Sequence, residues 1–388
     1  MTIKVGIFGS GLVSMHYITG LYRLREGTLK PYGVPFADFK LPYNFTDEEV
    51  VTVYDVDEDK VGHELREVIK RNINVDVPIP DSIPQLKIKK GILGGSSAGL
   101  DKIFKPIGLD QEIGLEDAIE EITRDLKRSS VDVVLNLIST ENVEDVKSVE
   151  DLKSRIKEGR LSASQAYAFA TYLAAIDSKK PIAFVNFIPS PLANSDVFVE
   201  LYKEASSVIL GDDGATGATP LTADLLEHLK ERNRYVRYIV QFNIGGNTDF
   251  LALSIPERNL MKEKTKSSIV KDILGYDAPH YIKPTGYIKE IGDRKFVSMD
   301  IEWITFNGLI DELIVNMRIN DSPALAGLAV DAVRISKALL DKGERGTVYE
   351  FNAFFMKNPG PKHMPNISRI RAYYNLLEYL KKREILMN

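Results

Sequence analysis

Lys262 and Lys266 stand four residues apart in the stretch NLMKEKTKSSIVKDILGY (259–276). On a helix that spacing puts both ammonium groups on one face, where together they could hold a charged substrate. Lys264 points elsewhere and reads, with Lys271, as solvated surface charge. Lys357 follows a Phe-Phe-Met run in FFMKNPGPK, and from its neighbours alone it reads as a lysine snorkelling beside an apolar patch. A second group of candidates opens the chain. Gly9-Ser10-Gly11-Leu12-Val13-Ser14 has the form G-x-G-x-x-S between an apolar run and a helical pattern. Gly9 allows a tight turn, Gly11 lets the backbone approach a pyrophosphate, and Ser14 is a small residue where a third glycine usually sits. The N-terminus of the following helix supplies an anion site. Asp55 ends the next apolar run, where an acid binds a ribose hydroxyl pair and repels a 2′-phosphate, which favours NAD over NADP. The alternatives are a plain tight turn and an aspartate that caps the next helix. Ser139 and Thr140 in NLISTEN leave a later strand at its carboxyl end, placed either to line a cofactor or to cap a helix.

These residues need a frame, and the apolar periodicity describes one. IKVGIF (3–8), VVTVYDVDEDKVG (50–62), VDVVLNLI (131–138), PIAFVNFI (182–188) and SSVILG (206–211) are apolar runs of strand length, several of them continuous rather than alternating, as in a buried parallel sheet. Helical patterns lie between them, including SASQAYAFATYLAAIDS (162–178), and residues 27–49 read as an inserted loop. The alternation predicts an α/β fold, a Rossmann-like doubly wound parallel sheet. After Arg232 the pattern changes to YVRYIVQFNIGG, YIKPTGYIKEIG, KFVSMDIEWITF and DELIVNMRI, strands with short turns and one helix near 265–274. This predicts an inserted α+β domain built on an antiparallel sheet. Helical ALAGLAVDAVRISKALLDKG and the amphipathic tail ISRIRAYYNLLEYLKKRE return the chain to the first unit. The expected division is 1–228 plus 332–388 for the first domain and 229–331 for the second.

Composition narrows the function classes. The 388 residues are 44% hydrophobic and 27% charged, with a net charge of −5, so no basic footprint for nucleic acid is present. There is no cysteine, which excludes disulfides and thiolate chemistry. His16, His63, His228, His280 and His363 are scattered without metal-ligand spacing. No apolar run is long enough to span a bilayer, and the N-terminus enters a strand at once without a signal-peptide layout, so a cytoplasmic protein with no membrane partner is expected.

Several stretches together go further. VNFIPSP (185–191), GDDGATGATPLTADLL (211–226), FNIGGNTDFLAL (242–253), KEKTKSSIVKDILGY and NDSPALAGLAVDAVR (320–334) resemble the myo-inositol-1-phosphate synthase family, in motif order over nearly the whole chain. The resemblance is to the shorter prokaryotic and archaeal members. It implies an inositol-3-phosphate synthase serving inositol and phospholipid biosynthesis: an NAD-dependent isomerase that converts D-glucose 6-phosphate to 1D-myo-inositol 3-phosphate. C5 is oxidised, enolisation and an intramolecular aldol step join C6 to C1, and C5 is reduced again. It also implies a Rossmann domain with an inserted catalytic domain, assembled as a homotetramer. An NAD-dependent sugar-phosphate dehydrogenase and a non-catalytic NAD-binding protein share the same plan and stay open.

The resemblance gives the candidates roles. Lys262 and Lys266 match two active-site lysines and Lys357 a third, all facing a sugar phosphate. Asp331 matches a residue that orients an active-site lysine, although an i, i+3 ion pair with Arg334 is its other reading. Asp213 and Thr216 match NAD contacts. Asp321 and Ser322 in NDSP match a pair near the nicotinamide, or else start a turn. Asn243, Asn247 and Asp249 match groups for substrate hydroxyls and the nicotinamide ribose. Two departures appear: Ala215 and Asn307 stand where the family pattern carries lysines. Fewer cations weaken charge stabilisation. A monovalent or divalent cation held by Asp212, Asp213 and Asp249 is one way to restore it.

Overall fold

The apolar runs of the first half assemble into one parallel sheet. The computed structural model describes residues 2–73, 76–95, 99–252 and 269–387. The sheet comprises β1 (Ile3–Phe8), β2 (Glu48–Asp55), β3 (Lys89–Lys90), β4 (Val133–Asn136), β5 (Ala183–Asn186) and β6 (Val208–Leu210), in the order β3-β2-β1-β4-β5-β6. Every pairing is parallel, with Gly6 opposite Val134, Val134 opposite Phe184 and Phe184 opposite Ile209. The order reverses between β1 and β4, and in such sheets the ligand crevice opens there, outside the carboxyl ends. The continuous apolar runs follow from burial on both faces: β4 and β5 are buried at all positions.

Helices cover each face. On one side α1 (Leu12–Arg25) and α2 (Leu65–Asn72) bury Met15, Ile18, Leu21, Val68 and Ile69. On the other, α3 (Leu115–Arg128) and α4 (Ala163–Ser178) bury Ile119, Ile122, Ala166, Ala170 and Ala174. Ser162 starts α4 with a reciprocal cap: its hydroxyl accepts from the Gln165 amide, and the Gln165 side chain accepts from the Ser162 amide. The 27–49 stretch has no strand or α-helix before β2 begins, yet Val34, Phe36, Leu41 and Tyr43 are buried. Phe36 packs against Phe354, Phe355 and Tyr373.

The second sheet contains β7 (Tyr235–Gly245), β8 (His280–Tyr287), β9 (Arg294–Ile304) and β10 (Ile310–Asn320), ordered β10-β9-β7-β8. The sheet is mixed, not purely antiparallel as the strand pattern suggested: β9 runs antiparallel to β7 and β10, but β7 and β8 are parallel. The connection across 246–279 is long enough for a crossover, and short-turn logic applies only to hairpins. Alternation along β9 buries Met299, Ile301 and Trp303 against Ala223, Leu226 and Leu229 of α5 (Thr219–Glu231) and against Ile269, Val270 and Ile273. The opposite face exposes Phe242, Ile310 and Ile314.

One helix ties the two sheets together. α6 (Asp321–Asp341) starts where β10 ends and carries Ala329, Val333 and Leu339 into the first core. The amphipathic tail forms α7 (Arg369–Lys382), whose Leu376 and Leu380 join the same core. No described helix is long and apolar enough to cross a membrane.

Candidate active site

A cleft opens where the carboxyl ends of β1, β4, β5 and β6 meet the second sheet. Its walls are Gly11, Leu12 and Val13 after β1, Ser139 and Thr140 after β4, Phe187 and Ile188 after β5, and Asp213, Gly214 and Thr216 after β6. The second sheet and α6 close it with Asn247, Phe250, Lys295, Asp321 and Ser322, and Lys357 completes the lining.

The glycine loop is built to leave room. Gly9 has φ +92°, and a Cβ there would lie 2.6 Å from the Leu137 carbonyl oxygen, so only glycine fits. Its amide donates to the Tyr54 carbonyl at 2.9 Å, and the Ser14 hydroxyl donates to the Gly9 carbonyl. Ser14 thus locks the turn to α1, a task beyond merely being small. A Cβ on Gly11 would meet nothing within 4 Å, so that position borders open space. The buried Ser10 hydroxyl has no partner among the described residues. Asp55 sits behind the loop, its Oδ2 accepting from the Ser10 amide at 2.7 Å. An open cradle, an unspent hydroxyl and a strand-end carboxylate together fit a dinucleotide.

Two ion pairs face the cleft, one buried and one partly open. After the helix Tyr349–Phe355 the chain runs beside residues 212–214: the Lys357 amide donates to the Asp213 carbonyl at 2.6 Å, and Asp212 and Asn358 exchange backbone bonds at 2.8 and 3.0 Å. This brings Lys357 Nζ to 3.1 Å from Asp213 Oδ1, with both side chains almost fully buried. The second pair is Lys295 Nζ and Asp321 Oδ2, 3.4 Å apart, with the ammonium 5.2 Å from the Phe250 ring centre. Asp293 holds the groups around it. Its Oδ1 accepts from Asn247 Nδ2 at 2.8 Å and from the Ser322 hydroxyl at 2.7 Å, and its Oδ2 from the Ser322 amide at 2.9 Å. Charges fixed in a site with little water interact strongly with charge that develops in a substrate.

Some candidates lie elsewhere. Gly9 and Ser10 form the turn beneath the cleft, and Asp55 lies at the end of β2. Asn243 is buried inside the second sheet, donating to the Lys283 carbonyl at 2.9 Å and accepting from Gln241 at 3.2 Å. Asp331 requires a correction. It is wholly buried, and its carboxylate accepts from the Phe36 amide at 2.6 Å and pairs with Arg334. Its partners are those of the ion-pair reading; it pins the 27–49 stretch to α6. Lys262, Lys266 and the side chain of Asp249 lie outside the described residues.

Asn307 is exposed in the turn after β9, with φ +65°, a conformation asparagine tolerates. β9 spans eleven residues and has Lys295 near its other end, at the cleft. Asn307 lies beyond the far end of β9, and Lys295 lines the cleft. Lys295 and Asp293 escaped the sequence reading. The available signal was parity: Lys295 alternates with the inward residues Val297, Met299 and Ile301. Asp212, offered above as a cation ligand, instead accepts from Asn186 at 2.8 Å and Asn194 at 3.0 Å. Among the described residues no group of three His, Asp or Glu could hold a metal ion.

The strand order, the switch-point cleft and its paired lysines define an α/β protein of the Rossmann-like class with a second sheet over its ligand crevice. The sequence model of the family described as myo-inositol-1-phosphate synthase matches residues 217–322. The inositol-3-phosphate synthase of Corynebacterium glutamicum is 30% identical over 390 residues, covering 97% of this chain and 99% of that protein. That of Mycobacterium tuberculosis is 28% identical over 372 residues, 94% and 92% of the two chains. The crystal structure of a myo-inositol-1-phosphate synthase-related protein from Thermotoga maritima superposes with a TM-score of 0.92 at 49% identity, covering 98% and 99%. The Caenorhabditis elegans inositol-3-phosphate synthase shares the fold, with a TM-score of 0.81 at 17% identity over 98% and 86%. The chain belongs to the inositol-3-phosphate synthase family and is an enzyme of that type.

Proposed function

We propose that the enzyme isomerises D-glucose 6-phosphate to 1D-myo-inositol 3-phosphate with NAD held in the cleft. The observation that carries this reading is the convergence of Lys357 and Lys295, each against a carboxylate, on the crevice beside an open glycine loop. Bound NAD supplies a hydride acceptor at C5 and later returns the hydride. Gly9 to Val13 receive the pyrophosphate, Asp55 the adenine ribose, and Ser139, Thr140, Asp213, Thr216, Asn247, Asp321 and Ser322 line the path to the nicotinamide. Lys357 and Lys295 hold the sugar phosphate and the oxygen that gains negative charge when a proton leaves C6. Lys262 and Lys266 join them on the strength of the family resemblance and the i, i+4 spacing. Asp293 acts through Asn247 and Ser322 and is a positioning residue. The chemistry is redox-neutral: the hydride taken from C5 is returned, and the new C6–C1 bond consumes the C1 aldehyde. We further propose a homotetramer formed through the exposed face of the second sheet, with residues 229–331 as the inserted catalytic unit.

The test is to incubate the protein with glucose 6-phosphate and NAD well below the substrate concentration. A cyclitol phosphate should form in many-fold excess over NAD, without free NADH. NADH accumulating in step with substrate loss would instead establish a sugar-phosphate dehydrogenase.

A further inference from the structure

Asp55 does not act alone at the end of β2. Its Oδ1 accepts from the Val56 and Asp57 amides at 2.7 and 3.1 Å, and its Oδ2 from Ser10 at 2.7 Å. Lys60 reaches back to the same carboxylate. The Asp57 carbonyl accepts the Lys60 and Val61 amides at 3.0 Å each, forming a turn that aims the Lys60 side chain at the strand end. Its Nζ lies 3.5 Å from Asp55 Oδ2 and 3.3 Å from Asp57 Oδ2, and its side chain is only 17% exposed. Burial alone would lower its pKa, but the Asp55 and Asp57 carboxylates outweigh burial and raise it, so the ammonium stays charged.

A carboxylate here repels a ribose 2′-phosphate, and a cation here attracts one. This site contains both, in a cluster of two carboxylates and one ammonium. The ion-pair distances to Lys60 are longer than the strong hydrogen bonds that anchor Asp55 to the backbone. Lys60 is therefore held mainly by charge, and neutralising Asp55 would leave it paired with Asp57 alone, with its charge no longer cancelled from the Asp55 side. We propose that Lys60 is a masked 2′-phosphate receptor, and that the Asp55–Lys60–Asp57 cluster sets coenzyme choice as a unit. This rests on the dinucleotide reading of the cleft.

The test is a calorimetric titration of the full chain with NAD and with NADP, for wild type, Asp55→Asn, Lys60→Met and the double variant. Wild type should prefer NAD. Asp55→Asn should weaken NAD about 10-fold and strengthen NADP about 10-fold, the size of one charge-assisted hydrogen bond in each direction. The double variant should lose the NADP gain. Lys60→Met alone should widen the preference for NAD, because the cluster's net charge becomes more negative. A purely structural role would move both coenzymes alike. The proposal fails if Asp55→Asn gains no NADP affinity, or if the gain survives in the double variant. Should Asp55→Asn not fold, judged by ligand-free thermal unfolding, Lys60→Met decides, and an unchanged NAD-to-NADP ratio overturns the proposal. Wild type that binds neither coenzyme refutes the cleft reading together with this inference. Wild type that binds NAD but shows no such cycle refutes the inference alone.

Discussion

Lys295 and Lys357 differ in how deeply their partners are committed, and the difference separates catalysis from folding. Asp213 beside Lys357 is almost wholly buried, whereas the Asp321 side chain beside Lys295 is 20% exposed. Removing one member of a buried pair costs about 3–5 kcal/mol. Lys357→Met should therefore lower both turnover and stability. Lys295→Met should reduce kcat by roughly 10²-fold or more while NAD affinity and the thermal midpoint stay near wild type. Steady-state kinetics with coenzyme titration checks this, and unchanged kcat in Lys295→Met would remove it from the site. Asp212 makes a separate prediction about pH. Burial pushes its carboxyl up from 3.8 to about 6, although Asn186, Asn194 and the Ala193 amide favour the ionised form. The folded-state value lies above the unfolded one, so its contribution is complete below about pH 4 and is lost as pH rises through about 6, by roughly 3 kcal/mol. Denaturant unfolding at about pH 5 and pH 8 should show about half of that loss in wild type, the rest having gone below pH 5, and a smaller one in Asp212→Asn. Equal pH dependence in both would contradict it. At this scale the sequence was legible wherever a motif fixes a turn, as at Gly9–Val13 and Asp213–Thr216. It was silent on Lys295, which carries no motif and declares itself only once β9 has an inner face.

The loop between β1 and α1 gives the sharpest test of an element. Gly9 and Gly11 look alike in the sequence but differ in space. Gly9→Ala should lower stability by about 1–3 kcal/mol, because φ +92° and the Leu137 carbonyl both oppose a Cβ. Gly11→Ala should leave the unfolding midpoint in place and weaken dinucleotide binding about 10-fold or more, since its Cβ meets no protein atom and points into open space. Thermal unfolding paired with NAD titration distinguishes the two, and a destabilised Gly11→Ala would contradict the cradle. Parallel strands were readable because burial on both faces makes them continuously apolar. β3 was not, since two residues carry no period. The parallel pairing of β8 was hidden because direction depends on the path across 246–279 and not on the strand's own residues. Asp331 failed for a related reason: spacing shows that Arg334 is near, but only the packed 27–49 stretch brings the Phe36 amide to it.

At the scale of the whole molecule, one helix passes from the second sheet into the first core, so the two sheets hold the cleft between them. Phe242 and Ile314 are 44% and 61% exposed on the outer face of the second sheet, and the proposed tetramer covers them. Ile314→Glu should shift sedimentation toward smaller species without unfolding the protomer. A wild type that sediments as a monomer at all concentrations would exclude that assembly. Continuous α/β alternation and the strand-rich middle made this architecture visible in the sequence. The way the second sheet seats over the crevice was not, because it arises from contacts between segments far apart in the chain. In the proposed reaction a hydride leaves C5 and comes back to it within one site. Glucose 6-phosphate deuterated at C5, supplied with unlabelled NAD, tests it most directly. The inositol phosphate formed should keep the deuterium on the former C5 carbon. Deuterium lost to solvent or gathered in free NADH would contradict it.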